Sequence, residues 1–340
     1  MTAPASDDGG TGPSVPLEGS DIEADPQLDD HDGPDPDSLS FTSSLASSLN
    51  DYVYENGRRY HSYRQGEYLF PNDETEQSRL DMLHHIFRLM LGGNLYMAPL
   101  AEAPQRVLDI GTGTGIWAMD MAEEFPEARV VGVDLSAIQP YLVPSNCDFF
   151  VDDVEDEWPY SGDKAFDFIH QRNMVGAIKD WDRLFAQALE HLRPGGYYEI
   201  QEFRVWFHAQ DPPLPDDCGI ARWQRLLTEG STEFGKPLNV VQELEAKMVK
   251  AGFEWVEEEV LKVPIGMWPK DRNLKQLGQW MQAHAIDSVE PLTLALFLRV
   301  LGWPEKECRE LMAKVRQEFG DRKQLYVYAH FIHGRKPECD

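Results

Sequence analysis

The residues whose types and spacing could do chemistry start with Asp109, Gly111, Thr112, Gly113 and Gly115, in the stretch Arg106-Val-Leu-Asp-Ile-Gly-Thr-Gly-Thr-Gly115. The apolar run up to Ile110 reads as a buried strand that breaks at Gly111, and a helix opens near Gly115 and runs through Ile116-Trp117-Ala118-Met119. Glycines after a strand let a ligand approach the main chain, and the helix that follows aims its first amide groups at it. Such a turn suits a nucleotide-like ligand, although by itself it also fits a plain strand-to-helix connection.

Spacing narrows the ligand. A dinucleotide site uses G-x-G-x-x-G, whereas this chain has G-x-G-x-G, with Ile116 where the third glycine would stand. Asp109, just before the turn, would repel a pyrophosphate and attract S-adenosylmethionine, which has no phosphate and carries an ammonium and a sulfonium. A second acid, Asp134, closes the apolar run Ala128-Arg-Val-Val-Gly-Val-Asp134 with Leu135 beside it. A carboxylate at that place can accept both ribose hydroxyls. A third position is shared by Asp152 and Asp153 at the end of Cys147-Asp-Phe-Phe-Val-Asp-Asp-Val154. Either could accept the adenine amino group; Asp153 is preferred because Val154 behind it could pack on the ring. Gln171 and Gln201, at the ends of the next two apolar runs, join the same site. His170, His208 and His284 are candidate general bases, each with a structural reading beside it. Cys147, Cys218, Cys308 and Cys339 form no C-x-x-C pair, so neither a zinc site nor a disulfide framework is expected.

These residues need elements that bring them to one place. Strands read at 106–110, 128–134, 147–154, 165–170 and 197–203, alternating with helices; the one at 180–192 ends at Arg193-Pro-Gly-Gly196. That alternation predicts an open, mostly parallel α/β sheet whose ligands lie beyond the carboxyl ends of its strands. Ahead of it, 52–68 is crowded with Tyr and Arg, and Leu80, Leu83, Ile86, Phe87, Met90 and Leu91 follow helical spacing up to Gly92-Gly93. This extension is either a clamp packed on the sheet or a cap over the ligand, with Arg64 and Tyr68 facing a carboxylate and an apolar edge. After Pro212-Pro-Leu-Pro215, helices read at 223–234 and 240–251 and a strand at 255–264; a Trp- and Met-bearing helical stretch, 265–320, then precedes a terminal strand at 325–331. A stripe of that kind is more often core than pocket.

Together, Val-Leu-Asp-Ile-Gly-Thr-Gly-Thr-Gly, Val-Gly-Val-Asp, Phe-Asp-Phe-Ile and Leu-Arg-Pro-Gly-Gly-Tyr resemble the successive motifs of class I S-adenosylmethionine-dependent methyltransferases. More narrowly, Tyr54-Glu-Asn-Gly-Arg-Arg-Tyr-His-Ser-Tyr-Arg-Gln-Gly-Glu-Tyr-Leu-Phe-Pro-Asn-Asp-Glu and Arg79-Leu-Asp-Met-Leu-His-His resemble the fungal LaeA-like group, a likeness that runs over roughly residues 52–337. The resemblance implies a Rossmann-like sheet with an antiparallel last strand. It makes Gly111, Gly113 and Gly115 the cofactor loop, Asp134 the ribose acid and Asp153 the adenine contact, with Arg64 and Tyr68 closing the pocket. Composition and resemblance together divide the chain into four regions: a disordered acidic tail at 1–45, an extension or cap at 46–100, a cofactor-binding domain at 101–264 with 321–337, and a helical insertion at 265–320 that the resemblance places on the substrate side.

Charge and composition exclude other classes. The formal charge is -28, of which residues 1–50, with eleven acids and no Lys or Arg, hold -11. The remainder is still acidic, and its basic clusters are as short as Arg58-Arg59, so nucleic acid is a poor partner. The Asp-, Gly-, Pro- and Ser-rich tail reads as disordered. No apolar run approaches the ~20 residues of a membrane span. The first Lys or Arg is Arg58, so no secretory or transit signal is expected and the location reads as cytoplasmic or nuclear. The expected activity is methyl transfer from S-adenosylmethionine to a small secondary metabolite by in-line displacement. A LaeA-like regulator working with a protein partner is the alternative, and a cofactor-binding scaffold without activity is a third reading.

Overall fold

The structure, a computed structural model, describes residues 15–23, 53–60, 66, 68–100, 103–160, 162 and 165–338. A hairpin of β1 (Val53–Glu55) and β2 (Arg58–Tyr60) precedes α1 (Glu74–Met90). Asp73 caps α1 by accepting the Glu76 amide at 3.0 Å, and Glu74 and Glu76 place acids in the first turn, where the helix dipole favours them.

The central sheet begins with β3 (Arg106–Ile110), α2 (Ile116–Glu124), β4 (Arg129–Asp134), β5 (Cys147–Val151), β6 (Phe166–Arg172), α3 (Trp181–His191) and β7 (Leu192–Phe203). These strands pair in parallel in the order β5-β4-β3-β6-β7. β10 (Leu325–Arg335) then pairs antiparallel with β7 and, on its other side, with β9 (Glu254–Ile265). The short β8 (His208–Ala209) extends the β7 side of β10. Strand order reverses between β4 and β6 on either side of β3, which opens a crevice at the carboxyl end of β3, where the glycine turn lies. Alternate residues of each strand serve opposite faces: Val107, Val130 and Phe168 join one apolar cluster, and Leu108, Val131 and Ile169 join the other. Burial on both faces explains why these strands read as continuous apolar runs.

The insertion is α6 (Arg272–Ala295), a π-turn at 296–300 and α7 (Glu305–Asp321). α6 packs against β9, α1 and α7, so the insertion meets the N-terminal extension instead of standing apart from it. α4 (Gly219–Phe234) and α5 (Leu244–Ala251) complete the fold.

Two differences from the sequence reading have physical causes. Arg193 to Gly196 is not a free turn: β7 starts at Leu192, and Gly195 and Gly196 exchange backbone bonds with Lys336, so the antiparallel neighbour draws the segment into the sheet. Residues 15–23, read as part of a disordered tail, run along β9 instead. The Glu18 amide donates to Val260 and the Lys262 amide to Pro16 at 2.7 Å, while Val15 and Ile22 are buried. β9 is an edge strand with unpaired backbone groups, and this segment satisfies some of them. The rest of the tail lies outside the described residues.

Candidate active site

An open chamber, about 1110 Å³ when the solvent at its mouth is included, sits in the crevice, with its floor on the glycine turn. The turn is held from below by acids. The Gly113 amide donates to Asp134 Oδ2 at 2.8 Å, the Ser136 amide donates to Asp134 Oδ1 at 2.8 Å, and Thr112 Oγ1 donates to Asp109 Oδ2 at 2.6 Å. Each carboxylate oxygen has a second lone pair, so Asp134 can brace the loop and still accept from a ligand. Gly113 has φ +57, and a Cβ there would meet only Leu80, at 3.7 Å, so backbone conformation is what demands glycine. Gly115 differs: it caps α2 with φ +81, and a Cβ there would lie 2.5 Å from the Phe149 ring. It does not line the chamber, so its part in the pattern is packing.

Asp109, Gly111, Thr112, Gly113, Asp134, Leu135, Asp152, Asp153, Val154 and Tyr68 all line this chamber, as the sequence reading expects; Arg64 lies outside the described residues. Asp152 Oδ1 accepts the Asp153 amide at 2.9 Å, and Asp153 Oδ1 accepts the Glu155 amide at 2.9 Å. The amide after Asp152 is therefore committed, whereas the Val154 amide after Asp153 has no partner among the described residues. That leaves Asp153 and Val154 as the acid-plus-amide pair able to take an adenine edge.

Gln171 is placed differently. Period-two alternation sends His170 and Arg172 to the chamber, while Gln171 between them accepts the Tyr198 hydroxyl and lines no part of it. Gln201 donates to Leu95 O and Glu199 and is likewise turned to the interior. Arg172 at the end of β6, with Asn173 and Met174 just past it, lines the chamber, and all three escaped the sequence reading; the only signal for them was the polar break after an apolar run. Burial pulls the Arg172 guanidinium down to about 10 against Asp109, Asp120 and Asp81. It donates to His84 Nδ1 at 3.2 Å, and His84 Nε2 meets Asp120 at 3.0 Å.

Of the three histidines, His170 is a support. Its Nδ1 lies 2.8 Å from Asp109 Oδ1, Trp117 stacks on it at 3.7 Å, and burial holds its pKa below the ordinary value despite Asp109. A neutral ring there donates to Asp109 and fixes that carboxylate beneath the glycine turn. His208 stacks on Tyr326 and lines neither this chamber nor the next. His284 lines a second, partly open chamber, about 690 Å³ when the solvent at its mouth is included, bordered by α6, the end of β7 and the 68–70 segment. Tyr68 and Asn173 line both chambers, so the two adjoin there. Asn173 has φ +58, a strained setting for a non-glycine residue of the kind that clusters at functional sites.

The donor set of the first chamber fits a cationic nucleoside. Glu76, Asp109, Asp134, Asp152, Asp153 and Glu155 face it, against Arg172 and a Lys236 that pairs with Glu155 at 3.3 Å. A polyphosphate would be repelled; an ammonium and a sulfonium are attracted, with Arg172 available to their carboxylate.

Strand order, switch point and glycine turn define a class I, S-adenosylmethionine-dependent methyltransferase. The chain belongs to the methyltransferase domain family, whose pattern it matches over residues 82–258. It is 44% identical to the methyltransferase pytC of Aspergillus terreus, over 89% of this chain and 93% of that protein. It is 36% identical to the secondary metabolism regulator laeA of Aspergillus fumigatus, over 88% and 81%. It is 34% identical to the protein-methionine methyltransferase laeA of Emericella nidulans, over 88% and 80%. A solved structure from an antibiotic biosynthesis pathway of Anabaena variabilis shares the fold at 15% identity and a TM-score of 0.50, covering 76% of this chain and 99% of that one.

Proposed function

We propose that the protein methylates a small, largely apolar molecule held in the second chamber, inside the cell. The observation that carries this reading is the adjoining pair of chambers: one is acid-lined, the other has walls of Phe70, Phe203, Phe207, Leu238 and Met281, and Tyr68 and Asn173 stand between them. When bound, S-adenosylmethionine supplies an electrophilic methyl group on a sulfonium. In this reading Asp134 holds the ribose, Asp153 and the Val154 amide hold the adenine edge, Asp109 attracts the ammonium, and Arg172 meets the carboxylate. Tyr68 and Asn173 exclude water and position the acceptor. Such positioning is worth on the order of 7–11 kcal/mol of barrier in well-oriented reactions. Incubation with labelled cofactor and native metabolite extract, with mass detection of what gains a methyl group, tests the reading; no labelled small molecule would sink it.

A second reading rests on the laeA relatives, one a regulator of secondary metabolism and one a protein-methionine methyltransferase. Here the acceptor is a protein side chain and the chain works within a protein complex. Label recovered in protein, together with a partner captured from native extract, would favour it over the first.

A further inference from the structure

The second chamber has a chemical bias of its own. Its described lining residues include Arg79, Arg204 and His284 but no Asp or Glu. Arg79 is spoken for: its guanidinium forms hydrogen bonds with both carboxylate oxygens of Glu76, and its Nη1 lies 3.3 Å from His284 Nε2. A guanidinium has no lone pair to offer, so His284 Nε2 must be the acceptor in that contact, and the proton of the neutral ring must sit on Nδ1. Burial first, and then the Arg79 charge, keeps the ring neutral, with its pKa well below the ordinary histidine value. His284 is thus not the base that its residue type suggests, because its basic nitrogen is engaged; it is a donor. His284 Nδ1 and Arg204 Nε are both buried, and both lack a hydrogen-bond partner among the described residues. Two unpaired buried donors are costly unless a ligand satisfies them. Tyr68 is no base either: burial, then Asp134 and Glu76, drives its phenol pKa far above 10. Glu202 lines neither chamber.

We infer that the methyl acceptor is an apolar organic acid that arrives already ionised, its anionic oxygens paired with Arg204 Nε and His284 Nδ1 while its body lies among Phe203, Phe207, Leu238 and Met281. A carboxylate or an acidic enol carries this chemistry. No deprotonation is needed: the acceptor's oxygen lone pair forms the new O–CH3 bond as the S–CH3 bond breaks, with its electron pair kept by sulfur. An anion and a sulfonium become a neutral ester or enol ether and a thioether, and no proton moves. This inference rests on the small-molecule reading above, but its test needs no turnover.

The test is calorimetric titration of the full chain without cofactor. One arm compares 3-phenylpropionate with 3-phenylpropionamide; the other compares dimedone, an anion at neutral pH, with its methyl enol ether. At least one anion should bind about tenfold or more tighter than its neutral counterpart, which a paired ionic hydrogen bond produces. The arm that responds tells carboxylate from enolate. Arg204→Gln should remove the preference, with circular dichroism as the folding control, and Arg204→Lys should restore part of it. Equal affinity for anion and neutral form, no binding of any probe, or a preference that survives in folded Arg204→Gln would overturn the inference. Detection of a methylated small molecule in extract alongside any of these results would leave the enzyme reading standing and remove only the acid class.

Discussion

Asp134 carries two loads at once, and they can be separated. Its two oxygens accept the Gly113 and Ser136 amides, which sets the shape of the turn, and the residue also lines the chamber. Asp134→Asn keeps the volume but loses the charge and one acceptor. S-adenosylmethionine affinity should fall by about 1.5–3 kcal/mol, the usual value of a hydrogen bond to a charged group. Calorimetry reads this directly, and an unchanged affinity would remove Asp134 from the ribose role. Gly115→Ala should instead cost stability, because φ +81 strains an L-residue by about 1–2 kcal/mol and the new Cβ meets Phe149; a thermal melt checks it. At this scale the sequence was readable wherever a residue's place at the chamber follows from its position along a strand. The acids at the ends of β3, β4 and β5 were legible because a strand end is itself a place in the fold. Gln171 was not: a shift of one residue along β6 exchanges the chamber for the Tyr198 side. The state of His284 depends on Arg79, 205 residues away, a contact that no local pattern contains.

Among the elements, β7 shows what burial does to a strand end. Glu199 accepts the Met97 and Ala98 amides and is pushed up to about 7 by burial; Glu202 accepts the Met174 amide and is pushed up to about 8 by the same cause. Both hold a proton to higher pH folded than unfolded, where a glutamate titrates near 4.5. The folded state therefore binds more protons between about pH 4.5 and 8, and these groups make stability fall as pH rises through that window. His84, His170 and His284, with His85, His208 and His333, act the other way: their lowered folded pKa values make stability rise with pH until the unfolded histidines, whose midpoint is 6.5, have lost their protons about one pH unit higher. Above about pH 7.5 the histidine contribution is spent and that of Glu202 remains, so urea midpoints should drop as pH rises through about 8, and Glu202→Gln should flatten that limb. A variant that keeps the full slope would assign it elsewhere. The strand's existence was legible from its apolar run. Its early start at Leu192 and the burial of its acids were not, because both follow from β10, which returns more than a hundred residues later.

For the whole molecule, the decisive junction is between the two parts that roof the chambers, the N-terminal extension and the insertion. Arg58 stands there among three carboxylates: Asp73 at the start of α1, bound at 2.6 and 2.9 Å, Glu76 at 3.8 Å, and Glu290 of α6 at 3.5 Å. Burial lowers the pKa of this guanidinium, yet the surrounding acids raise it above the ordinary value. One cation thus holds together two segments more than two hundred residues apart, and each of them lines a chamber: Tyr68 and Glu76 from one side, His284 and Ser288 from the other. Replacing Arg58 with Met keeps much of the packing and leaves Glu76 with Arg79 and Glu290 with Arg316, but it takes from Asp73 its ion pair with Arg58, a loss that should cost less than the ~3–5 kcal/mol of a buried pair reduced to one unpaired charge. The loss belongs to the roof more than to the sheet. Arg58→Met should therefore lower S-adenosylmethionine affinity as well as the denaturant midpoint, and amide exchange should quicken in α1 and α6 before β3 and β6. Arg309→Ala breaks only the exposed pair with Glu305 on α7 and should change stability by less than about 1 kcal/mol with no loss of affinity. If both substitutions weaken the protein equally, or if exchange in α1 and α6 is unaltered by Arg58→Met, the roof is held by apolar packing of α6 on α1, and the ion cluster is incidental to it.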